Sequence, residues 1–147
     1  MSLFGLLSVA GSGVDVSQSW LNTIGSNLAN ANDAVNPSQT PFLEQELTVA
    51  PGTSSNGYSP NPATTPMTPT EGTGVHVSGV VTPNPNGVLT YDPTNPQANA
   101  SGYVRTPGIN VADQLGNLDV AERSYQANVA VINHAKTVYQ SALTIGQ

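Results

Sequence analysis

The sequence predicts a mainly α protein, in which long N- and C-terminal helices form a coiled-coil-like pair and a proline- and threonine-rich middle contains a small β-hairpin. Three observations lead there. All twelve prolines lie between residues 37 and 107, so both ends of the 147-residue chain are free of helix breakers. Apolar residues recur in those ends at four-and-three spacing, the pattern of a helix with one seam facing a partner. Between them stand two short β-rich runs, GVHVSGVVT (74–82) and GVLTYD (87–92), separated by PNPN and the turn dipeptide Asn86-Gly87.

The first segment, residues 1–34, carries Leu7, Val14, Leu21 and Leu28 at every seventh position, interleaved with Leu3, Ala10, Ile24 and Ala31 and broken by Ser17. Gly5, Gly11, Gly13 and Gly25 each weaken a helix by about 1 kcal/mol relative to alanine, so this one is marginal alone. Its last turns, WLNTIGSNLANAND (20–33), crowd Asn22, Asn27, Asn30 and Asn32 in among the apolar stripe. Asparagine prefers caps and turns, and taken alone the run reads as a helix fraying into a turn at Asn32-Asp33.

The middle, residues 35–109, changes character along its length. NGYSPNPATTPMTPTEGTG (56–74) has the composition of a linker or long surface loop, with little to bury. Alternation at Val75, Val77 and Val81 and the Asn-Gly signal predict a hairpin over about 74–92. Two strands are not stable by themselves and must lie against something.

The last segment, residues 110–147, reads as one long helix. Val111, Leu115, Leu118, Tyr125, Val129, Ile132, Tyr139 and Leu143 hold the seam, with Glu122 and Lys136 as its two polar breaks. A second stripe, Val131, Ala135, Val138, Ala142 and Ile145, runs beside it over the final turns. An apolar surface covering more than half the circumference is too wide for a single partner helix and calls for several neighbours. At ~1.5 Å per residue the two helices span roughly 40 and 50 Å. Their arms are expected to be loose in the monomer and firm in an assembly.

Charge removes several functions. Nine acids against three bases, Arg105, Arg123 and Lys136, leave a net charge of -6 and no basic patch to hold phosphates, which speaks against nucleic acid and anionic membrane surfaces as partners. The absence of cysteine removes disulfides, thiolate metal sites and cysteine nucleophiles together. No stretch approaches the roughly 20 apolar residues of a membrane span. The opening MSLFGLLSVAGSG mimics a signal peptide but lacks its cationic start, and its apolar spacing continues into the helix, so it reads as mature protein.

Candidate chemistry is sparse, and no catalytic, cofactor-binding or metal-binding residue is assigned. His76 near Glu71 and Asp92 is the nearest approach to an acid-base or metal site, without the ligand spacing of a zinc site. GSG (11–13) and GTG (72–74) lack the rest of a dinucleotide loop, and Asn99-Ala-Ser formally matches a glycosylation acceptor. Tyr125 and Tyr139 read as packing aromatics, and Glu122 with Arg123 as a surface pair of little energetic weight.

Three motifs carry a family resemblance over about two-thirds of the chain. SNLANAN (26–32) resembles the signature that closes the N-terminal helix of bacterial flagellar axial proteins, the rod, hook and hook-associated families. ERSYQANVAVINHAKTVYQSALTIGQ (122–147) is similar to their shared C-terminal helix, and YDPTNPQANASGYVRTPGINV (91–111), with the start of the chain, looks like the proximal-rod class. After the asparagine signature, QTPFLEQE keeps Phe42 but has Glu44 and Glu46 where that family is usually basic.

The resemblance implies a non-enzymatic component of the flagellar basal-body proximal rod that carries torque from motor to hook. It implies export without a cleaved signal through the flagellar export apparatus, and assembly with itself and other rod proteins. The implied assembly interface comprises Leu7, Val14, Leu21, Ile24, Asn27, Leu28 and Asn30 on the first helix and Leu115, Leu118, Tyr125, Val129, Ile132, Tyr139 and Leu143 on the second. Asn27 and Asn30 would fix register there, as a buried asparagine does in a coiled coil. Two other classes stay open on residues alone. One is a secreted adhesion or carbohydrate-binding module presented by the middle, and the other an enzyme built on His76.

Overall fold

The computed structural model describes residues 3–52 and 74–145, and the predicted linker therefore lies mostly outside the described residues. Two helices dominate it: α1 (Leu3–Ala29) and α2 (Val111–Ile145). Between them come β1 (Glu46–Pro51), β2 (Val75–Val81), β3 (Val88–Tyr91) and β4 (Tyr103–Thr106). The mainly α fold with packed terminal helices and small antiparallel two-stranded sheets is the one the sequence predicts.

Local chemistry sets the helix ends. Asn110 caps α2: its Oδ1 accepts from the Ala112 amide at 3.0 Å, its carbonyl accepts the Gln114 amide at 3.0 Å, and Asp113 places an acid in the first turn. Gly108, at φ +72° just upstream, keeps α2 from beginning earlier, and the adjoining Pro107 is fully buried. α1 runs out through the asparagine signature, where the Ala31 amide bonds the Leu28 carbonyl and the Asp33 amide bonds that of Asn30. The predicted turn at Asn32-Asp33 is therefore present.

The helices pack antiparallel. Gly13 lies against the Asn128 side chain, Ser17 Oγ is 3.1 Å from Ser124 Oγ, and Asn27 Nδ2 donates to Gln114 Oε1 at 3.2 Å. Residue numbers rise along α1 as they fall along α2, and fourteen residues separate the outer pairs on both helices, so one register holds over two heptads. Apart from Ile24, the innermost side chains are small or polar: Ala10, Ser17 and Asn27 of α1, and Gln114, Ala121 and Ala135 of α2. Small residues let the two backbones approach closely. A Cβ added at Gly13 would sit 2.7 Å from Asn128 Oδ1.

On α1 this contact uses one of the two lines of the predicted seam, and on α2 it is turned by one residue from the predicted line. On α1 the line Ala10, Ser17, Ile24 faces α2, while Leu7, Val14, Leu21 and Leu28 are half-buried on its flank. On α2 the innermost line is Gln114, Ala121, Asn128, Ala135, one residue away from the line Leu115, Glu122, Val129, Lys136, Leu143. Volume explains the turn, because leucine and valine at the centre would hold the axes further apart than alanine and serine do.

Both predicted β runs are strands, but they do not pair with each other. β2 pairs antiparallel with β1, with a bulge between Thr48 and Val49, and β3 pairs antiparallel with β4. The hairpin expected over 74–92 is thus corrected to two separate sheets. The Gly87 amide bonds the Asn84 carbonyl at 3.3 Å, and Gly87, at φ +63°, has no room for a side chain against the Thr106 carbonyl. The turn carries the chain from β2 into β3, and each strand takes its partner from a more distant segment, β1 or β4.

Each sheet is fastened to the helical frame. Ser12 Oγ donates to the Val9 carbonyl at 2.7 Å and accepts the Val75 amide at 3.0 Å, pinning the start of β2 to α1. Val35 and Arg105 exchange backbone hydrogen bonds at 3.0 and 2.9 Å, tying β4 to the segment that leaves α1. Arg105 Nε donates to the Pro37 carbonyl at 3.1 Å and its Nη1 to the Asn86 carbonyl, so one guanidinium joins two loops to β4. Val104 beneath it is buried.

Replacing Ala121, 0 % exposed, with leucine should force the helices apart. The expected loss is about 1–3 kcal/mol of unfolding free energy, read from chemical denaturation followed by helix signal.

Candidate assembly interface

One buried polar cluster organises the end of the helix pair where α1 stops and α2 starts. Asn27, 1 % exposed, holds the backbone of Gln45 at both groups: its Nδ2 donates to the Gln45 carbonyl at 2.8 Å and its Oδ1 accepts the Gln45 amide at 3.0 Å. Gln114 accepts from Asn27 and donates through Nε2 to Glu44 Oε1 at 2.8 Å. Asp33 Oδ2 accepts the Phe42 amide at 3.1 Å. Residues 42–45 are thereby strapped across both helices and lead into β1. Every buried side-chain polar atom among the described residues has a partner, as a stable amide network in a low-dielectric interior requires.

The signature asparagines are therefore used inside the chain. Asn27 clips the strap, and Asn30 returns its Nδ2 to the Ser26 carbonyl at 2.8 Å, satisfying the end of α1. Gln114, Gln45 and Ser124 were missed by the sequence reading. Gln114 lies on a step of seven with Ala121, Asn128 and Ala135, a line of amides and alanines that does not register as a seam, and no repeat marks Gln45 or Ser124.

Much of the predicted seam of α2 lies outside this contact. Leu115 is 52 % exposed and Leu143 54 %, Tyr139 is also exposed, and Leu118, Tyr125, Val129 and Ile132 are half-buried. Val138, on the second predicted stripe, is 62 % exposed, and Val131 joins it on the surface. A groove of about 560 Å³ opens between α1 and the first sheet, lined by Val9, Val16, Trp20, Val49 and Val75 among others.

The two described residues of the enzyme reading belong to different sheets. His76 is exposed on β2, Asp92 follows β3 in the other sheet, and Glu71 lies outside the described residues. Asp92 is occupied by its own turn: Oδ1 accepts from the Thr94 hydroxyl at 2.8 Å and its amide at 3.2 Å, and Oδ2 from Asn95 Nδ2 at 3.4 Å. The Thr94 hydroxyl is the main cause that holds the Asp92 carboxyl below its ordinary pKa; partial desolvation opposes it and Asn95 assists. Arg123 pairs with Asp119 at 2.9 Å and not with Glu122, whose Oε1 accepts from Gln126 at 3.0 Å. No helix among the described residues is long and apolar enough to cross a membrane.

Paired terminal helices, a polar clip in place of a catalytic cluster, and apolar stripes facing outward define a structural protein of the axial type, completed by neighbours. The comparisons agree. Residues 100–145 match the family model described as the flagellar basal body rod FlgEFG protein C-terminal. Over the full length of both chains the sequence is 33 % identical to the flagellar basal-body rod protein FlgC of Escherichia coli O6:H1 and 32 % to that of Salmonella typhimurium. It is 31 % identical to the protein of that name from Borreliella burgdorferi, covering all of this chain and 99 % of that one. The chain belongs to the FlgC family of flagellar basal-body rod proteins. It is a structural, non-enzymatic component of the basal-body rod that assembles with other rod proteins.

Asn27→Ala should leave both backbone groups of Gln45 without their partner. We expect about 1–3 kcal/mol of destabilisation, with faster amide exchange at Gln45 before the helices melt. The Asp92 turn supplies a pH dependence. Because the folded carboxyl titrates lower than the unfolded one, its contribution is fully present above the unfolded pKa and is lost as pH falls through the folded value. Thr94 amide protection should therefore persist at neutral pH and fall only in strong acid, an effect absent in Asp92→Asn.

Proposed function

We propose that this chain is a proximal-rod subunit whose terminal helices, apart from their mutual contact, are the surfaces that bind neighbouring subunits, itself and other rod proteins included. The observation that carries this reading is the placement of large apolar residues on α2. The protomer seals its own helix pair with Ala121 and Ala135 and keeps Leu115, Val138, Tyr139 and Leu143 in solvent. Burying such side chains is favourable by about 1.5–3 kcal/mol each, so neighbours that cover them are strongly favoured.

In this reading the α2 face comprises Leu115, Leu118, Tyr125, Val129, Ile132, Tyr139 and Leu143, flanked by the half-buried Leu7, Val14, Leu21 and Leu28 of α1. Ile24 and Asn27 support it from within, and Asn30 ends the helix that presents it. Unlike surfaces joined head to tail give an open helical array when the rotation does not close. Torque then passes through many packed side chains at once. In this reading the subunit reaches the rod through the flagellar export apparatus. An adhesive module in the middle would need that region to stand apart, whereas β2 is pinned to α1 through Ser12.

The test uses positions that the protomer does not need. Val138→Asp combined with Leu143→Asp should leave the helix content of the purified chain unchanged and remove the protein from isolated basal bodies. Normal incorporation of that variant would contradict the assigned interface.

A further inference from the structure

Of the four outer sheet edges among the described residues, three are closed or interrupted and one is open. On β2 the Val75 amide is taken by Ser12 Oγ of α1 at 3.0 Å. The outer side of β4 is taken by Val35, which exchanges backbone hydrogen bonds with Arg105. β1 ends in Pro51, which has no amide to offer, and its ladder is broken by the bulge between Thr48 and Val49. β3 has no such protection: Val88–Tyr91 contains no proline, no charge and no bulge, and all four residues are exposed.

The alternation of hydrogen bonds in an antiparallel ladder shows which groups β3 leaves free. Arg105 spends its amide and its carbonyl on Val35, so Leu89, its partner across the ladder, receives neither. Residues of a strand turn their backbone groups alternately towards the paired strand and away from it. Leu89 and Tyr91 therefore direct theirs away from β4, and the Asp92 amide, bonded to the Gly102 carbonyl at 2.9 Å, fits the same alternation. Two donors and two acceptors stand in a row on an edge about 13 Å long. Beside them Leu89, Tyr91 and Tyr103 share one face of the sheet, all three exposed, with the tyrosine rings edge to face at 5.2 Å.

From this we infer that β3 is a docking edge, along which a neighbouring rod subunit lays an extended segment as a third strand, uncharged and free of proline where it faces Leu89 and Tyr91. The inference rests on the rod reading, which supplies the neighbour. Strand addition of this kind takes its affinity from main-chain hydrogen bonds and its selectivity from alternate side chains. An amide is needed at each facing position, which excludes proline there. Side chains opposite one another in a sheet must suit each other, and β3 is neutral in a chain with nine acids, so the matching segment is neutral too. Two copies of β3 would meet about a two-fold axis and close the contact at a dimer, whereas an open array needs an unlike segment.

Amide exchange reads the contact directly. In the purified chain the Leu89 and Tyr91 amides should exchange quickly. In isolated basal bodies they should slow by at least about tenfold, while Thr90, whose backbone groups face β4 in both states, changes little. Leu89→Pro removes a donor that the protomer does not use. The purified variant should keep its helix content and denaturation midpoint and enter basal bodies about tenfold less, whereas Leu89→Val, which keeps the amide, should enter to within about twofold. If the proline variant fails to fold, the exchange measurement still decides. Protection of the same two amides in the purified chain that rises with concentration would mean pairing between two copies of β3, and overturns the assignment to a neighbour's segment. Basal bodies that contain the chain in normal amount but leave both amides exchanging as in the free chain overturn the added strand and leave the rod reading intact, as does normal incorporation of a folded Leu89→Pro variant. Absence of the unsubstituted chain from basal bodies overturns both.

Discussion

The close antiparallel contact between α1 and α2 is the constraint from which the rest of the protein follows. Gly13, Ser17 and Ala10 on one helix, with Ala121, Ser124 and Asn128 on the other, let the backbones approach with little bulk between them. A contact built this way buries few large side chains, and Ile24 and Val104 are the large apolar residues buried most completely. Its stability is accordingly modest. Its geometry is specific, because small surfaces and paired hydroxyls tolerate little sliding.

That economy inside determines what lies outside. Had the leucines and valines of α2 been used to seal the helix pair, the protomer would be firmer and its surface mostly polar. Instead the seal is made of alanine, serine and amides with Ile24 as the large exception, and several large residues of α2 stay in solvent. The amide cluster at Asn27 and Gln114 performs a separate task. It holds residues 42–45 across the helix ends, so the sheets leave the helical frame in a set direction.

The sheets illustrate how short strands are stabilised by attachment. Neither two-stranded sheet has a core of its own, and most β1–β3 side chains are exposed or half-buried. Ser12 anchors one sheet to α1. Arg105, spending its hydrogen bonds on carbonyls and not on an acid, anchors the other to the chain leaving α1. A guanidinium suits this use because its planar fork can serve several carbonyls at once while remaining charged at any physiological pH.

Helix existence and extent were legible in the sequence, because proline exclusion and a sustained four-and-three rhythm act along the chain and need no partner to be read. The strand character of 75–81 and 88–91 was legible for the same reason. Their pairing was not: β1 is a six-residue segment ending in Pro51, β4 has four residues, and each finds its partner across an intervening stretch whose path no local pattern encodes. The residues able to form an interface were also visible as apolar stripes. Which stripe faces inward was decided only by tertiary packing, since an amphipathic pattern reports that a face must be covered and not by what. Side-chain volume at the point of closest helix approach made that choice, turning alanine and serine inward and leaving larger residues of α2 in solvent.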